Sequence, residues 1–234
     1  VTGAGTALSG PTLFARYAYP PNALGYCGPP DSEAVRAYGV AGTADPAVAR
    51  TFDGAWPYLR LIAARAGIGD PLDRRVVEAY WVGNRLLDAT GVGLDGGVAH
   101  HSFHVFCRYP WAAMLPDPRG AGHALTVLDR CRIGWGRVTA LPGDDRVDVR
   151  TRPLTWNGRR LGLGAPVIRT ARTPGVALAV GDRVSLHWDW VCDRLSERRT
   201  RALRAYTRRH LDLASLRIGQ NCPMAPVGVD ISAG

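Results

Sequence analysis

An α+β fold is predicted by three features of the chain: helical spacing of apolar residues in its first half, apolar–polar alternation in its second, and a break in charge between them. Residues 1–129 hold 10 arginines against 11 acidic residues, whereas residues 130–234 hold 19 against 9. The expected organisation is a mainly helical N-terminal region over residues 1–122, then a small β-barrel with a C-terminal helix over 123–234.

In the first half, Ser32 and Glu33 open a short helix to about Tyr38. From Asp45, the positions Val48, Phe52, Ala55/Trp56, Leu59 and Ile62/Ala63 recur at helical intervals and predict a helix ending near Gly67. Asp70-Pro71 restarts the chain: a capping carboxylate, then a proline whose fixed φ suits a first helical turn. Leu72, Val76, Ala79/Tyr80, Gly83 and Leu86/Leu87 line one face of this second helix to Gly91, and the two helices are expected to pair antiparallel. A Gly-rich stretch over 91–97 leads to a short β-like segment, His101 to Arg108; Pro110, Pro116, Pro118, Gly120 and Gly122 predict a linker.

In the second half, Leu125 to Leu141 is strand-rich and closes at the turn Pro142-Gly143-Asp144-Asp145. Val147, Val149 and Thr151 alternate with Asp148, Arg150 and Arg152, as in a half-buried strand. Asn157-Gly158 is a hairpin signal, because both residues tolerate the positive φ of a tight turn. After Gly181-Asp182, Val184, Leu186, Trp188 and Trp190 fall on one face and Ser185, His187 and Asp189 on the other. Val147, Val149, Val184, Leu186 and Trp188 are expected in one barrel core. A helix from about Ser196 to Leu213, burying Ala202, Leu203, Tyr206 and Leu213, completes this half.

Composition excludes several function classes. With 46% hydrophobic and 21% charged residues the chain is not of disordered type. No apolar run approaches the ~18–20 residues of a membrane span. The start lacks a basic segment followed by an apolar one, Val1 reads as an alternative start codon, and a cytoplasmic location is expected. Cys27, Cys107, Cys131, Cys192 and Cys222 form no C-x-x-C pair, so neither a disulfide framework nor a zinc cassette is indicated. The net charge of +9 invites a nucleic-acid reading, but there is no lysine, a bias of GC-rich coding sequence, and no RNP-like aromatic pattern.

The second half opens with Cys131-Arg-Ile-Gly-Trp-Gly136-Arg-Val138 and closes with Val180-Gly-Asp-Arg-Val-Ser-Leu-His187. With Gly143-Asp144-Asp145 and Val147-Asp148-Val149 between them, these segments over about residues 129–213 resemble the HypC/HupF-type hydrogenase assembly chaperones. The resemblance implies an OB-like barrel and a non-catalytic accessory factor of nickel–iron hydrogenase maturation. Such a factor binds or delivers an iron centre bearing cyanide and carbon monoxide. Its implied partners are a HypD-type scaffold protein and the hydrogenase large subunit. Carried over residue by residue, the implied iron ligands are Cys131 and His187. Thiolate and imidazole both suit iron, and a site with so few protein ligands can release its cargo. Two departures stand out: the family's cysteine follows the initiator Met while Cys131 is internal, and Trp135 replaces the family's proline. The whole chain also resembles an uncharacterised bacterial family associated with nickel–iron hydrogenase gene clusters. Tyr26-Cys27-Gly28-Pro29, His101-Ser102-Phe103-His104-Val105-Phe106 and His187-Trp188-Asp189-Trp190 carry that likeness.

His187 is expected at the surface of a late strand, opposite Trp188 and Trp190, with the Cys131 sulfur within roughly 4–5 Å of its ring nitrogen. Asp189, on the same face, is expected to orient the imidazole. With Cys131 buried in the core, or its backbone far from that of His187, the iron-carrier reading is expected to fail and to leave only a HypC-like binding module. His100, His101, His104 and Cys107 form a further candidate metal or cofactor set; on a strand His101 and Cys107 share a face and His104 opposes them. Cys27, in the turn-rich Gly25–Pro30, is another candidate thiol, while His123 and His210 are read as surface or cap residues. Arg194, Arg198, Arg201, Arg204 and Arg208 make a helical stripe balanced only by Glu197, from which Arg198, Arg201 and Arg208 are expected to meet an acidic partner. Two other functions suit the same residues: an enzyme with Cys131 as nucleophile and His187 as base, or an OB-like nucleic-acid module. No nucleophile elbow, P-loop or dinucleotide fingerprint supports an enzyme.

Overall fold

Ser9 starts the first helix by accepting a hydrogen bond from the Thr12 amide, and α1 (Gly10–Ala23) then buries Leu13, Phe14, Tyr17 and Ala18. This helix has no counterpart among the sequence expectations. The computed structural model describes residues 8–41, 46–89, 94, 96–143, 145–173 and 175–220; expectations that rest on Asp45, Gly91, Asp144 or Cys222 lie outside the described residues. The helix opened by Ser32 is α2 (Ser32–Ala41). The single helix expected up to Gly67 is two, α3 (Pro46–Arg50) and α4 (Trp56–Arg65). Between them, at Gly54, a Cβ would stand 2.5 Å from the His104 ring, so only glycine fits there. Asp73, not Asp70, caps α5 (Arg74–Trp81), its carboxylate accepting from the Arg75 amide at 2.8 Å. Gly83, at φ 92°, ends that segment with the Tyr206 ring where a side chain would go, and α6 (Arg85–Ala89) follows.

Three expectations in the middle of the chain are corrected. The β-like segment is a helix, α7 (His101–Cys107), buried on every side, which removes the periodicity that separates helix from strand. Of the linker prolines, Pro110 opens a 3-10 turn at Pro110–Met114 and Pro116 and Pro118 precede α8 (Ala121–Cys131), so residues 122 and 123 fall in the first turn of a helix. The strand expected from Leu125 is, up to Cys131, this same helix; Ala124, Val127, Leu128 and Cys131 are its buried stripe.

β1 (Gly134–Gly143) and β2 (Arg146–Thr151) then pair antiparallel. The hairpin expected at Asn157-Gly158 joins β3 (Leu154–Trp156) to β4 (Leu161–Leu163), with the Asn157 carboxamide accepting from the Arg159 and Arg160 amides. It is a separate two-stranded sheet outside the barrel. β5 (Val167–Arg172), β6 (Arg183–His187) and β7 (Trp190–Arg194) complete a closed barrel of order β1-β2-β5-β7-β6. Val138, Val147, Val149, Ala171, Val184, Leu186 and Val191 fill it. Trp188 does not, contrary to expectation: Trp188 and Asp189, at φ 49° and 62°, form the turn between β6 and β7, so the alternation ends at His187. Trp188 packs instead in the larger core shared by the helices.

Capped by Ser196, α9 (Glu197–Gly219) runs well past the expected end and buries Leu203, Thr207, His210 and Leu211. The helices cover the outer side of β6 and β7. Tyr17 hydrogen-bonds Ser185 at 2.8 Å, and Arg199 spans Glu78 (3.2 Å) and Asp193 (2.8 Å). Among the described residues no helix is long and apolar enough to cross a membrane.

Barrel closure requires a missing side chain at Gly136, where a Cβ would stand 2.3 Å from a Val149 methyl and 2.7 Å from the Arg150 carbonyl oxygen. Gly136→Ala is therefore expected to destabilise the fold by about 1–3 kcal/mol, read from a thermal or urea melt. An unchanged melt would mean that β1 and β2 are not so closely apposed.

Candidate functional site

Three elements end at one point. α7 supplies His101 and His104, one turn apart on a helix; α8 ends in Cys131; β6 ends in His187. His100 begins α7 by accepting from the Ser102 amide at 3.0 Å. Ligating atoms of His101, Cys131 and His187 all lie within 4.8 Å of one another. The expected surface exposure of His187 is corrected: the helical layer docks on the barrel here, leaving His187 1%, His101 5% and Cys131 9% exposed.

The expected role of Asp189 is corrected as well. Its carboxylate faces Arg130 (3.4 Å) and Arg169 (3.7 Å). His187 is oriented instead by the Tyr17 carbonyl oxygen, 2.6 Å from its Nδ1, so the proton sits on Nδ1 and Nε2 keeps its lone pair. That buried Nε2 has no hydrogen-bond partner. His101 Nε2 donates to the Cys131 carbonyl oxygen at 2.9 Å, while the Tyr80 hydroxyl stands 3.3 Å from Nδ1 of both His101 and His104. One hydroxyl proton cannot serve two acceptors. His104 Nε2 is a second buried nitrogen without a partner. The Trp81 ring packs on His101 and His187, with centroids 4.6 and 5.8 Å away.

Burial dominates the proton affinities. It pushes His187 and His104 down to about 4 and His101 well below its usual value, so these rings are neutral near pH 7 with lone pairs available. The same burial pushes the Cys131 thiol up, helped by the nearby Cys27 and opposed by the Trp188 indole N–H. Cys131 is therefore a thiol that gives up its proton when a cation takes its place, which makes metal uptake proton-releasing.

These groups line a cavity of about 320 Å³ with Tyr26, Cys27 and Trp188. Tyr26, 49% exposed, stacks on Trp188 with ring centroids 4.1 Å apart, at the outer side of the cavity. The Asn22 carboxamide donates to the carbonyls of Cys27 and Pro29, holding the loop that carries Cys27. Cys27 thus belongs to the same cavity, its thiol pushed by burial up to about 12.

Cys107 does not belong to it: its sulfur points to the His210 carbonyl oxygen, 3.8 Å away. His210 is not a surface residue but is fully buried, Nδ1 2.7 Å from the Ser102 hydroxyl and Nε2 accepting from the Val98 amide. His123 is exposed beside Trp111. The arginine stripe is divided. Arg198 and Arg201 look toward α5 and α6, and Arg201 pairs with Glu197 at 3.2 Å, whereas Arg204 and Arg208 face the barrel. Sequence reasoning missed Tyr80, Trp81 and the Tyr17 carbonyl, and set His101 apart from Cys131. His101-x-x-His104 read at helical spacing would have placed both imidazoles on one side.

The chain matches a family described as a family of unknown function, DUF6390, over residues 6–93 and 90–221. No curated protein and no solved structure matches it.

Proposed function

The chain belongs to the DUF6390 family, and we propose that it is a metal-handling accessory factor of nickel–iron hydrogenase maturation that holds an iron–cyanide–carbonyl centre as cargo at Cys131, His187 and His101. The convergence of one thiol and two neutral imidazoles within 4.8 Å carries this reading. A thiolate with two imidazoles suits iron, and three protein ligands leave positions for small ligands on the cavity side. The unpartnered Nε2 of His187 supports it, because its other nitrogen is already tied to a backbone carbonyl in the manner of ligating histidines. Cys131 is buried in the core, the condition under which iron carriage is expected to fail; iron carriage is proposed nonetheless because Cys131 lines the same cavity as His101 and His187, with the Tyr26–Trp188 pair beside it.

We read the barrel as OB-like and akin to the HypC/HupF type. Counting barrel strands alone, the order is 1-2-3-5-4 closing on 1, with the third and fifth parallel, a five-stranded Greek-key pattern. The partners proposed on this likeness are a HypD-type scaffold and the hydrogenase large subunit. The enzyme alternative is less well supported: burial keeps Cys131 protonated and His187 a weak base, the reverse of an activated nucleophile and its base.

Anaerobic titration with Co(II), a spectroscopic stand-in for ferrous iron, is expected to show one site per chain with thiolate-to-metal charge-transfer absorption. Cys131→Ser is expected to abolish that band and His187→Gln to weaken binding by more than about 10-fold, since loss of even a group that only supports a ligand typically costs that much. Cobalt bound without a thiolate band would overturn the site. Infrared bands of cyanide and carbon monoxide on protein purified with its partners, lost in Cys131→Ala, test the cargo. Their absence from a cobalt-competent protein would overturn the hydrogenase assignment.

A further inference from the structure

We propose that the groove between the barrel and α9 binds an acidic polypeptide segment with interspersed apolar side chains, in extended form. Arg137 and Arg183 from β1 and β6, Arg150 from β2, Arg152 just after it, and Arg204 and Arg208 from α9 surround a space of about 650 Å³. Asp212 is the one acidic residue lining it, and it is paired with Arg160 at 3.2 Å. Arg150, Arg204 and Arg208 are exposed and make no ion pair among the described residues. Arg137 and Arg152 donate to the carbonyl oxygens of Gly181 and Gly164, both at 2.8 Å, and Arg183 faces Glu197 at 4.0 Å, but six guanidinium groups around one groove still repel each other, and an anionic ligand relieves that repulsion.

The floor selects the class of anion. Trp135, Leu161, Leu163 and Pro166 are apolar, which matches a segment that alternates acidic and aliphatic side chains. Single-stranded nucleic acid would need a row of aromatic platforms, but Trp135 is the one aromatic residue in the lining and the Arg132 guanidinium lies 5.7 Å from its ring. The groove does not include the residues proposed for iron, so the two proposals stand or fall separately.

Fluorescence anisotropy on the full chain tests this with a short labelled peptide of alternating glutamate and leucine. Its glutamine–leucine counterpart and a single-stranded oligonucleotide serve as comparisons. The acidic peptide is expected to bind with an affinity that falls as salt is raised. Combined Arg150→Ala, Arg204→Ala and Arg208→Ala is expected to weaken it at least about tenfold, as loss of several rim charges does, while Arg198→Ala with Arg201→Ala leaves it unchanged. No binding of the acidic peptide, equal binding of the neutral one, tighter binding of the oligonucleotide, or an equal loss in the Arg198/Arg201 variant would each overturn the proposal. Circular dichroism of every variant establishes that it is folded.

Discussion

Acidification is expected to unfold this protein cooperatively between about pH 6 and pH 4, a window set by histidines that cannot take up a proton while folded. His100, His101, His104, His187 and His210 are buried. Burial lowers His100 to about 3, His104 and His187 to about 4, His210 to about 2, and His101 well below the ordinary 6.5. Each group has a folded pKa below its unfolded one, so its contribution is fully present above about 6.5 and is lost as pH falls toward the folded value. Below 6.5 the unfolded chain binds protons that the folded chain refuses, and stability falls by up to ~1.4 kcal/mol per pH unit for each histidine. Five together remove about 10 kcal/mol by about pH 5, comparable with the whole stability of a typical domain. Far-ultraviolet circular dichroism and tryptophan fluorescence should report one transition, with uptake of several protons per chain. A chain still folded near about pH 4 would mean that water reaches these rings and charges them in place. Bound metal should move the transition to lower pH, because it competes with protons for His101, His187 and Cys131.

Asp129→Ala is expected to destabilise the protein by about 3–5 kcal/mol, because it strands a charge inside it. Asp129 Oδ1 accepts from Arg132 Nε at 3.1 Å, Arg132 Nη2 at 3.0 Å and the Leu154 amide at 2.9 Å; Oδ2 accepts from Arg169 at 2.8 Å. The Arg132 side chain is only 2% exposed, and its second strong partner is the Arg152 carbonyl oxygen at 2.6 Å. Removing the carboxylate leaves that guanidinium desolvated with one neutral acceptor and frees the Leu154 amide. At this chain length the cost corresponds to a fall in Tm of about 6–20 °C. Asp129→Leu combined with Arg132→Leu should recover much of it, since no unpaired charge then remains. A melt within about 1 kcal/mol of wild type for the single variant would mean that Arg132 finds water. Because Asp129 and Arg132 flank Cys131 at the end of α8, the same variant should also weaken cobalt binding while the thiolate band persists in what is bound.

The elements that were legible in the sequence are those determined by near neighbours. β2 and β6 follow from apolar–polar alternation, the β3–β4 hairpin from Asn157-Gly158, and the start of α9 from Ser196, which accepts from the Arg199 amide. Each depends on interactions within a few residues, which local pattern and turn chemistry encode. α7 was not legible for the opposite reason. Buried all round, it shows a run of apolar and histidine residues whose period is set by packing partners elsewhere in the chain. α8 does carry a helical stripe, Ala124, Val127, Leu128 and Cys131, and its reading as a strand was an error of period.

The pairing of Cys131 with His187 was read from a resemblance; His101 was read as part of a separate set with His100, His104 and Cys107, and the Tyr17 carbonyl and the Tyr80 hydroxyl were not read at all. By itself the sequence determined an α+β chain, a barrel with Val147, Val149, Val184 and Leu186 inside it, and a long terminal helix. Strand alternation tells the inner face of β6 from the outer one, but it cannot say whether the outer face meets water or another layer. Only the tertiary structure decided that α1 and α7 cover the end of β6. That docking turns His187 from an expected surface ligand into a buried, neutral imidazole, and brings it within reach of a thiol and a second imidazole from distant parts of the chain. The physical reason is that burial and lone-pair orientation are properties of the interface between the layers, and no segment carries that interface alone.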